Sequence, residues 1–193
     1  MTIRRPENYG ALAQDCYQVL FSDEEIAARV QALGAEISRD YAGRNPLLVG
    51  VLKGVLLFMA DLLRAITVPC EVDFIAVSSY SPEARDRGVV RLVKDLEAPV
   101  AGRHILFVED IIDTGLTLGY LLRILRAREP ASLEVCVLFD KPKRRLIDIP
   151  LRYKGFDLPD RFVVGYGLDY RERYRNLPFV GLLKAEAQGR PEA

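Results

Sequence analysis

The stretch from His104 to Phe139 narrows the possible folds more than any other part of the chain. His104 to Val108 is an apolar run of the kind a strand buried on both faces requires. Glu109 to Gly115 is a polar turn, and behind it Leu118, Leu121, Leu122 and Leu125 recur at helical spacing. Arg123, Arg126 and Arg128 gather late in that helix, where cations suit its negative end, and Pro130 stops it. Leu133 to Phe139 is a second strand-like run. Strand, helix and strand at this spacing make a βαβ unit, whose crossover runs the two strands parallel and lays a helix on the sheet.

The flanking segments extend the pattern. Ser22 and Glu25 have capping-box spacing, and Ile26, Val30, Leu33, Ile37 and Tyr41 line one face of the helix that follows. After Asn45-Pro46, Leu47 to Leu52 reads as a strand, Val55 to Leu63 as a largely buried helix, and Glu71 to Val77 as a strand beyond Pro69. Ser78 to Arg103 carries Pro82, Gly88, Pro99 and Gly102 among charged residues. It reads as an exposed, mobile excursion in which Val89 to Val93 could pair as a hairpin arm. Ile149 to Pro159 reads as an irregular connection, and Arg161 to Val164 as a last short strand ending in Gly165-Tyr166-Gly167. Lys184 to Ala193 is expected to fray. The expected fold is one α/β domain on a mostly parallel, twisted sheet flanked by helices.

Composition removes several classes of function. Across 193 residues, 27 Lys and Arg balance 27 Asp and Glu, which gives no reason to expect nucleic acid or a membrane surface as a partner. No run reaches the roughly 18 apolar residues that span a bilayer; Leu47 to Leu63 is interrupted by Lys53 and Asp61. Arg4 and Arg5 have no apolar run close behind, so the start does not read as a signal peptide. Cys16, Cys70 and Cys136 form no CxxC pair, an odd count makes a poor disulfide framework, and a cytoplasmic location is expected. Cys136, among Val135, Val137 and Leu138, reads as a buried thiol. The single histidine, His104, reads as structural, which leaves His-based triads and multi-His zinc sites without their usual centrepiece.

In open α/β sheets ligands sit beyond the carboxyl ends of the strands. Here those ends carry Lys53, then Ser78-Ser79-Tyr80, Glu109 to Thr117, and Lys141, with Asp169 a short way past a fifth strand. The strongest signal is Glu109-Asp110-Ile111-Ile112-Asp113-Thr114-Gly115-Leu116-Thr117. Open amides at a helix start cradle phosphate, Thr114 and Thr117 add hydroxyl donors, and Gly115 permits close approach. Carboxylates beside such a nest would repel phosphate unless magnesium or a ribose diol engages them. A plainer reading is a capped helix with acidic residues at its positive end. The stretch lacks the glycines and Gly-Lys-Ser/Thr ending of a Walker A loop, and it is not a GxGxxG fingerprint.

This stretch resembles the signature with which phosphoribosyltransferases bind phosphoribosyl pyrophosphate (PRPP), in the form closest to the hypoxanthine-guanine branch of the purine family. Leu52-Lys53-Gly54, Ser79-Tyr80 and the run from Pro159 to Tyr170 agree in order and spacing, and the resemblance spans about Leu12 to Leu183. It implies the type I phosphoribosyltransferase fold, with a small hood and a flexible loop over residues 78–103 that closes on the site. It also implies roles. Asp113, Thr114, Gly115, Leu116 and Thr117 would hold the 5′-phosphate. Glu109 and Asp110 would hold the ribose hydroxyls, with one magnesium ion in that region and a second on Asp169. Lys53, Gly54, Ser79, Tyr80 and Arg175 would meet pyrophosphate, and the family's often-cis Leu-Lys peptide would fall between Leu52 and Lys53. Phe162 would stack on the purine, Lys141 would donate to a 6-oxo oxygen, and the backbone at Val163 and Asp169 would meet the base near carbon 2. Asp113 would be the base facing N7.

The implied activity is transfer of phosphoribose to hypoxanthine or guanine in purine salvage, by a homodimer or homotetramer. The Leu and Val face of Leu47 to Leu63 could feed such an interface. Two positions depart from some members, Leu116 where lysine occurs and Val55 where a second glycine occurs. A xanthine-preferring enzyme is the nearest alternative. An RNA-binding regulator resembling the pyrimidine-operon attenuator is a more distant one, with Lys141, Lys143, Arg144 and Arg145 as its local basic patch.

Overall fold

The computed structural model describes residues 9–79 and 90–189. In chain order the strands are β1 (Cys16–Phe21), β2 (Leu47–Leu52), β3 (Glu71–Ser79), β4 (Val90–Lys94), β5 (His104–Ile112), β6 (Ser132–Asp140), β7 (Tyr153–Asp157), β8 (Val163–Val164) and β9 (Val180–Leu183). The α-helices are α1 (Asp23–Asp40), α2 (Leu56–Ala65), α3 (Leu116–Arg126) and α4 (Ala185–Gln188). The large sheet has the order β4-β3-β2-β5-β6-β7, parallel except for the antiparallel β3–β4 pair. The α/β expectation and the parallel β5–α3–β6 crossover hold.

Period-2 alternation along the central strands decides what covers each face. Leu48, Leu106, Val108, Cys136 and Leu138 share one core with Ile26, Val30, Leu33 and Ile37 of α1 and with Phe58, Met59 and Leu62 of α2. Leu47, Val49, Ile105, Phe107, Val135 and Val137 share another with Leu118, Leu121, Leu122 and Leu125 of α3. Each fully buried side chain of this kind contributes about 1.5–3 kcal/mol through apolar burial. The α1 start is a true capping box: Glu25 N donates to Ser22 Oγ at 3.2 Å and Ser22 N donates to Glu25 Oε2 at 3.0 Å. Cys136 is buried as expected, and His104 Nδ1 lies 2.8 Å from Ser132 Oγ, a structural pairing between β5 and β6.

A second, antiparallel sheet, β1-β9-β8, forms the hood. Its residues Val163, Val180 and Leu182 pack onto the α1/α2 core.

Several sequence expectations need correction. Ile149 to Pro159 is not wholly irregular, since Tyr153–Asp157 pairs with β6. β1 and β9 were not expected at all. The chain end is docked as far as residue 188: Ala187 is buried, Lys184 N donates to Asp15 O at 2.8 Å, and Tyr170 Oη donates to Gln188 O. Fraying is therefore not a property of residues 184–188.

The end of the 78–103 excursion is also anchored. Asp73 accepts from Glu97 N at 2.7 Å, Ala98 N at 3.0 Å and Lys94 Nζ at 3.2 Å, Arg128 grips Asp95 at 2.9 and 2.7 Å, and Val100 is buried. The tip, residues 80–89, lies outside the described residues. Among the described residues, no helix is long and apolar enough to cross a membrane.

Candidate active site

The parallel register brings the chemistry-bearing residues to the carboxyl ends of the strands. Ile112 pairs with Asp140, and Lys141 N donates to Ile112 O at 3.0 Å, so the pairing runs one residue past the β6 strand. That places Lys141 beside Asp113: Lys141 is buried, and its Nζ lies 3.7 Å from Asp113 Oδ2. Arg144, in the short 3-10 turn Pro142–Arg144, approaches the other oxygen, with Nε 2.6 Å from Asp113 Oδ1. The same guanidinium reaches Asp160 Oδ1 at 3.4 Å. Cations on neighbouring elements thus flank Asp113 from two sides, although its buried Oδ1 has no hydrogen-bond partner among the described residues, and the ionic chain continues toward Phe162.

Between β5 and α3 the turn is open. Gly115, at φ 81°, caps α3 without any side-chain hydrogen bond, and Leu116 N donates weakly to Thr114 Oγ1 at 3.4 Å. First-turn amides with no capping side chain are anion ligands in waiting. Leu146 N donates to Thr114 O at 3.0 Å, so the connection after β6 braces this turn.

The β2 end meets the same place from the other side. The Leu52–Lys53 peptide is cis. Gly54 lies so close to Asp110 that a Cβ there would come within 1.9 Å of Asp110 Oδ2. Gly167, at φ 95°, presses on Gly54 in turn, and a Cβ on it would lie 2.1 Å from Gly54 O. A side chain at Gly167 would clash with the Gly54 backbone and push those segments apart, and one at Gly54 would displace the Asp110 carboxylate. The turn beyond β8 is tied down by Arg175, whose Nη1 donates to Gly167 O at 2.8 Å and whose Nη2 lies 2.8 Å from Asp169 Oδ1. Lys53 Nζ and Arg175 Nη2 both reach Glu172 Oε2, at 3.1 and 3.4 Å. Behind the turn, Tyr166 Oη donates to Asp61 Oδ2 of α2 at 2.6 Å.

Burial dominates the electrostatics of the carboxylate pair. It raises Glu109 well above the ordinary carboxylate range, with the neighbouring Asp110 charge adding to the shift. Asp110 is pushed up to about 6 by burial, against hydrogen bonds from backbone amides and the nearby Arg175. Glu109 Oε2 is buried with no hydrogen-bond partner among the described residues.

Phe162, just ahead of β8, is 46% exposed and meets Tyr170 edge-on, with centroids 5.4 Å apart at 83°. It is not a core aromatic. Val163 is buried in the hood sheet opposite Leu182.

Lys53, Gly54, Glu109, Asp110, Asp113 to Thr117, Lys141, Asp169 and Arg175 therefore lie on connected segments at this end of the sheet. Ser79 ends β3, and Tyr80 lies outside the described residues. Sequence reasoning missed the parts played by Arg144, Glu172 and the Tyr166–Asp61 bond. The basic patch that includes Arg144 is largely consumed in ion pairs: Arg144 pairs with Asp113 and Asp160, and Arg145 Nε with Asp140 at 2.9 Å.

Comparison with known proteins identifies the family. Residues 18–171 match the model of the phosphoribosyl transferase domain. The hypoxanthine-guanine phosphoribosyltransferase of Streptococcus agalactiae is 50% identical over 175 residues, covering 91% of this chain and 97% of its own. That of Bacillus subtilis is 51% identical over 173 residues, covering 90% and 96%. Among solved structures, a hypoxanthine phosphoribosyltransferase from Staphylococcus aureus superposes with a TM-score of 0.85 at 44% identity, covering 92% of this chain and 98% of that one. The chain belongs to the phosphoribosyltransferase family, and within it to the hypoxanthine-guanine phosphoribosyltransferases.

Proposed function

We propose that this chain transfers the 5-phosphoribosyl group of PRPP to N9 of hypoxanthine or guanine, releasing pyrophosphate and forming IMP or GMP. The observation that carries this reading is the buried Lys141 set 3.7 Å from Asp113, at the ends of neighbouring strands and beside an uncapped helix start. A protonated lysine satisfies a 6-oxo oxygen. Against the 6-amino group of adenine it would set donor against donor and leave buried groups unpaired, which is a strong basis for discrimination.

The roles follow from position. The amides and hydroxyls of residues 113–117 would hold the 5′-phosphate, and Glu109 and Asp110 the ribose 2′ and 3′ hydroxyls. Phe162 offers an open ring for stacking, and the backbone at Val163 and Asp169 would meet the base near carbon 2. Asp113 would accept the N7 proton as the N9–ribose bond forms and pyrophosphate leaves, with no covalent enzyme intermediate. Lys53 and Arg175 would stabilise the charge gathering on the leaving group. Ser79 and Tyr80 would close over pyrophosphate and exclude water from the activated sugar.

Magnesium fits the residues present. Glu109 Oε2 is a buried, unpartnered oxygen beside a second buried carboxylate, an arrangement that a hard cation relieves. Asp169 spends one oxygen on Arg175 and the other on Glu172 N at 3.0 Å, yet each keeps a free lone pair. When bound, magnesium would supply charge neutralisation at the ribose and pyrophosphate oxygens. A homodimer or homotetramer completes the reading, but the Leu47 to Leu63 face does not supply its contact: Leu47, Leu48, Val49, Val55, Phe58, Met59 and Leu62 are buried in this chain's own cores.

The test is product analysis after incubation with magnesium, PRPP and each of hypoxanthine, guanine, xanthine and adenine. IMP and GMP are expected. Formation of AMP alone, or of no nucleotide, would refute the reading.

A further inference from the structure

The contacts of Glu172 are unusual for a surface carboxylate. The proposed function gives pyrophosphate two protein cations, Lys53 and Arg175, and Glu172 Oε2 touches both, at 3.1 and 3.4 Å. Those cations come from segments far apart in sequence, the β2 end and the turn after β8. The carboxylate is also held in place: Glu172 N donates to Asp169 Oδ2 at 3.0 Å, and its backbone has φ 62° inside the tight Tyr170–Arg173 bridge. Arg175 retains an unmet need, since its Nε is buried with no hydrogen-bond partner among the described residues. A polyanion arriving here would compete with Glu172 for the same two cations.

We infer that Glu172 is a placeholder for pyrophosphate. Its carboxylate neutralises Lys53 and Arg175 in the empty site, yields them when PRPP binds, and takes them back as pyrophosphate leaves. The inference rests on the proposed function for the identity of the anion. Glu172 acts through the two cations and is a positioning residue. The cost it imposes on the incoming anion is that of two ion pairs which are largely exposed on the carboxylate side. Exposed pairs are individually weak, so removing the charge should tighten pyrophosphate binding by about three- to tenfold. The effect is electrostatic and should shrink as salt rises.

The experiment compares wild type with Glu172→Gln and Glu172→Asp, first checking by thermal melting that each is folded. Two readouts are used: calorimetric titration with magnesium pyrophosphate, and steady-state kinetics with PRPP and hypoxanthine at low and high salt. For Glu172→Gln, the pyrophosphate Kd, its inhibition constant and the KM for PRPP should all fall, the KM for hypoxanthine should hold, and the difference should narrow at high salt. Glu172→Asp, which keeps the charge, should stay nearer wild type. Unchanged or weaker pyrophosphate binding by Glu172→Gln would overturn the inference, the weaker case showing that Glu172 merely props the turn. If wild type forms no nucleotide, the functional reading fails on its own, while the pyrophosphate titration still decides the role of Glu172.

Discussion

Asp113 lies between Lys141 Nζ at 3.7 Å and Arg144 Nε at 2.6 Å, so two cations face it before any substrate arrives. If Asp113 faces N7 as proposed, it should account for about 10²–10⁴ of the rate, the usual worth of a positioned base. Asp113→Asn should lower kcat by that factor in a steady-state assay with hypoxanthine, and a near-normal rate would remove it from the role. The role proposed for Lys141 is selectivity. Lys141→Gln, whose amide offers both a donor and an acceptor, should lower the hypoxanthine-to-adenine ratio of kcat/KM by at least about tenfold. An unchanged ratio would move the 6-oxo contact elsewhere. The contiguous run Glu109 to Thr117 was legible in the sequence because one strand-turn-helix carries all of it. The partners Arg144 and Glu172 were not. Glu172 lies 119 residues from Lys53 along the chain, and no local spacing encodes that meeting.

Among the larger elements, the β5 end concentrates the conflict between stability and function. Asp110 is raised to about 6 in the fold against about 3.9 in the unfolded chain. A raised carboxylate contributes its full stability below the unfolded value and loses it as pH climbs through the folded value. In magnesium-free protein, Asp110→Asn should therefore be more stable than wild type by on the order of 1–3 kcal/mol at pH 8, with the gap closing toward pH 4. Chemical denaturation at the two pH values checks this, and an equal gap at both would show that ionisation is not the cause. The turn after β8 depends on α2 in a similar way. Tyr166→Phe removes the donor to Asp61 and should cost about 1–3 kcal/mol. It should also raise the KM for PRPP by loosening the Gly167 contact with Gly54; normal stability with normal KM would make the bond incidental.

Element legibility followed the strength of local patterning. The boundaries of α1 could be read because the capping box and an apolar stripe agree. β7 could not: Tyr153-Lys154-Gly155-Phe156-Asp157 has no apolar alternation and is a strand only because the exposed edge of β6 pairs with it. β1 and β9 are likewise defined by each other, with Cys16 opposite Leu183 across nearly the whole chain.

For the molecule as a whole, the parallel sheet was legible from the βαβ spacing, and the resemblance carried the hood that composition alone would not give. The central claim is geometric: the helix start after β5, the lysine after β6 and the aromatic before β8 all address one nucleotide. The most direct test is a crystal structure of the chain with IMP bound. The expected result has the phosphate on the amides of residues 113–117, the base against Phe162, O6 about 3 Å from Lys141 Nζ, and N7 facing Asp113. An IMP bound away from this end of the sheet, or seated there with O6 turned from Lys141, would contradict the account.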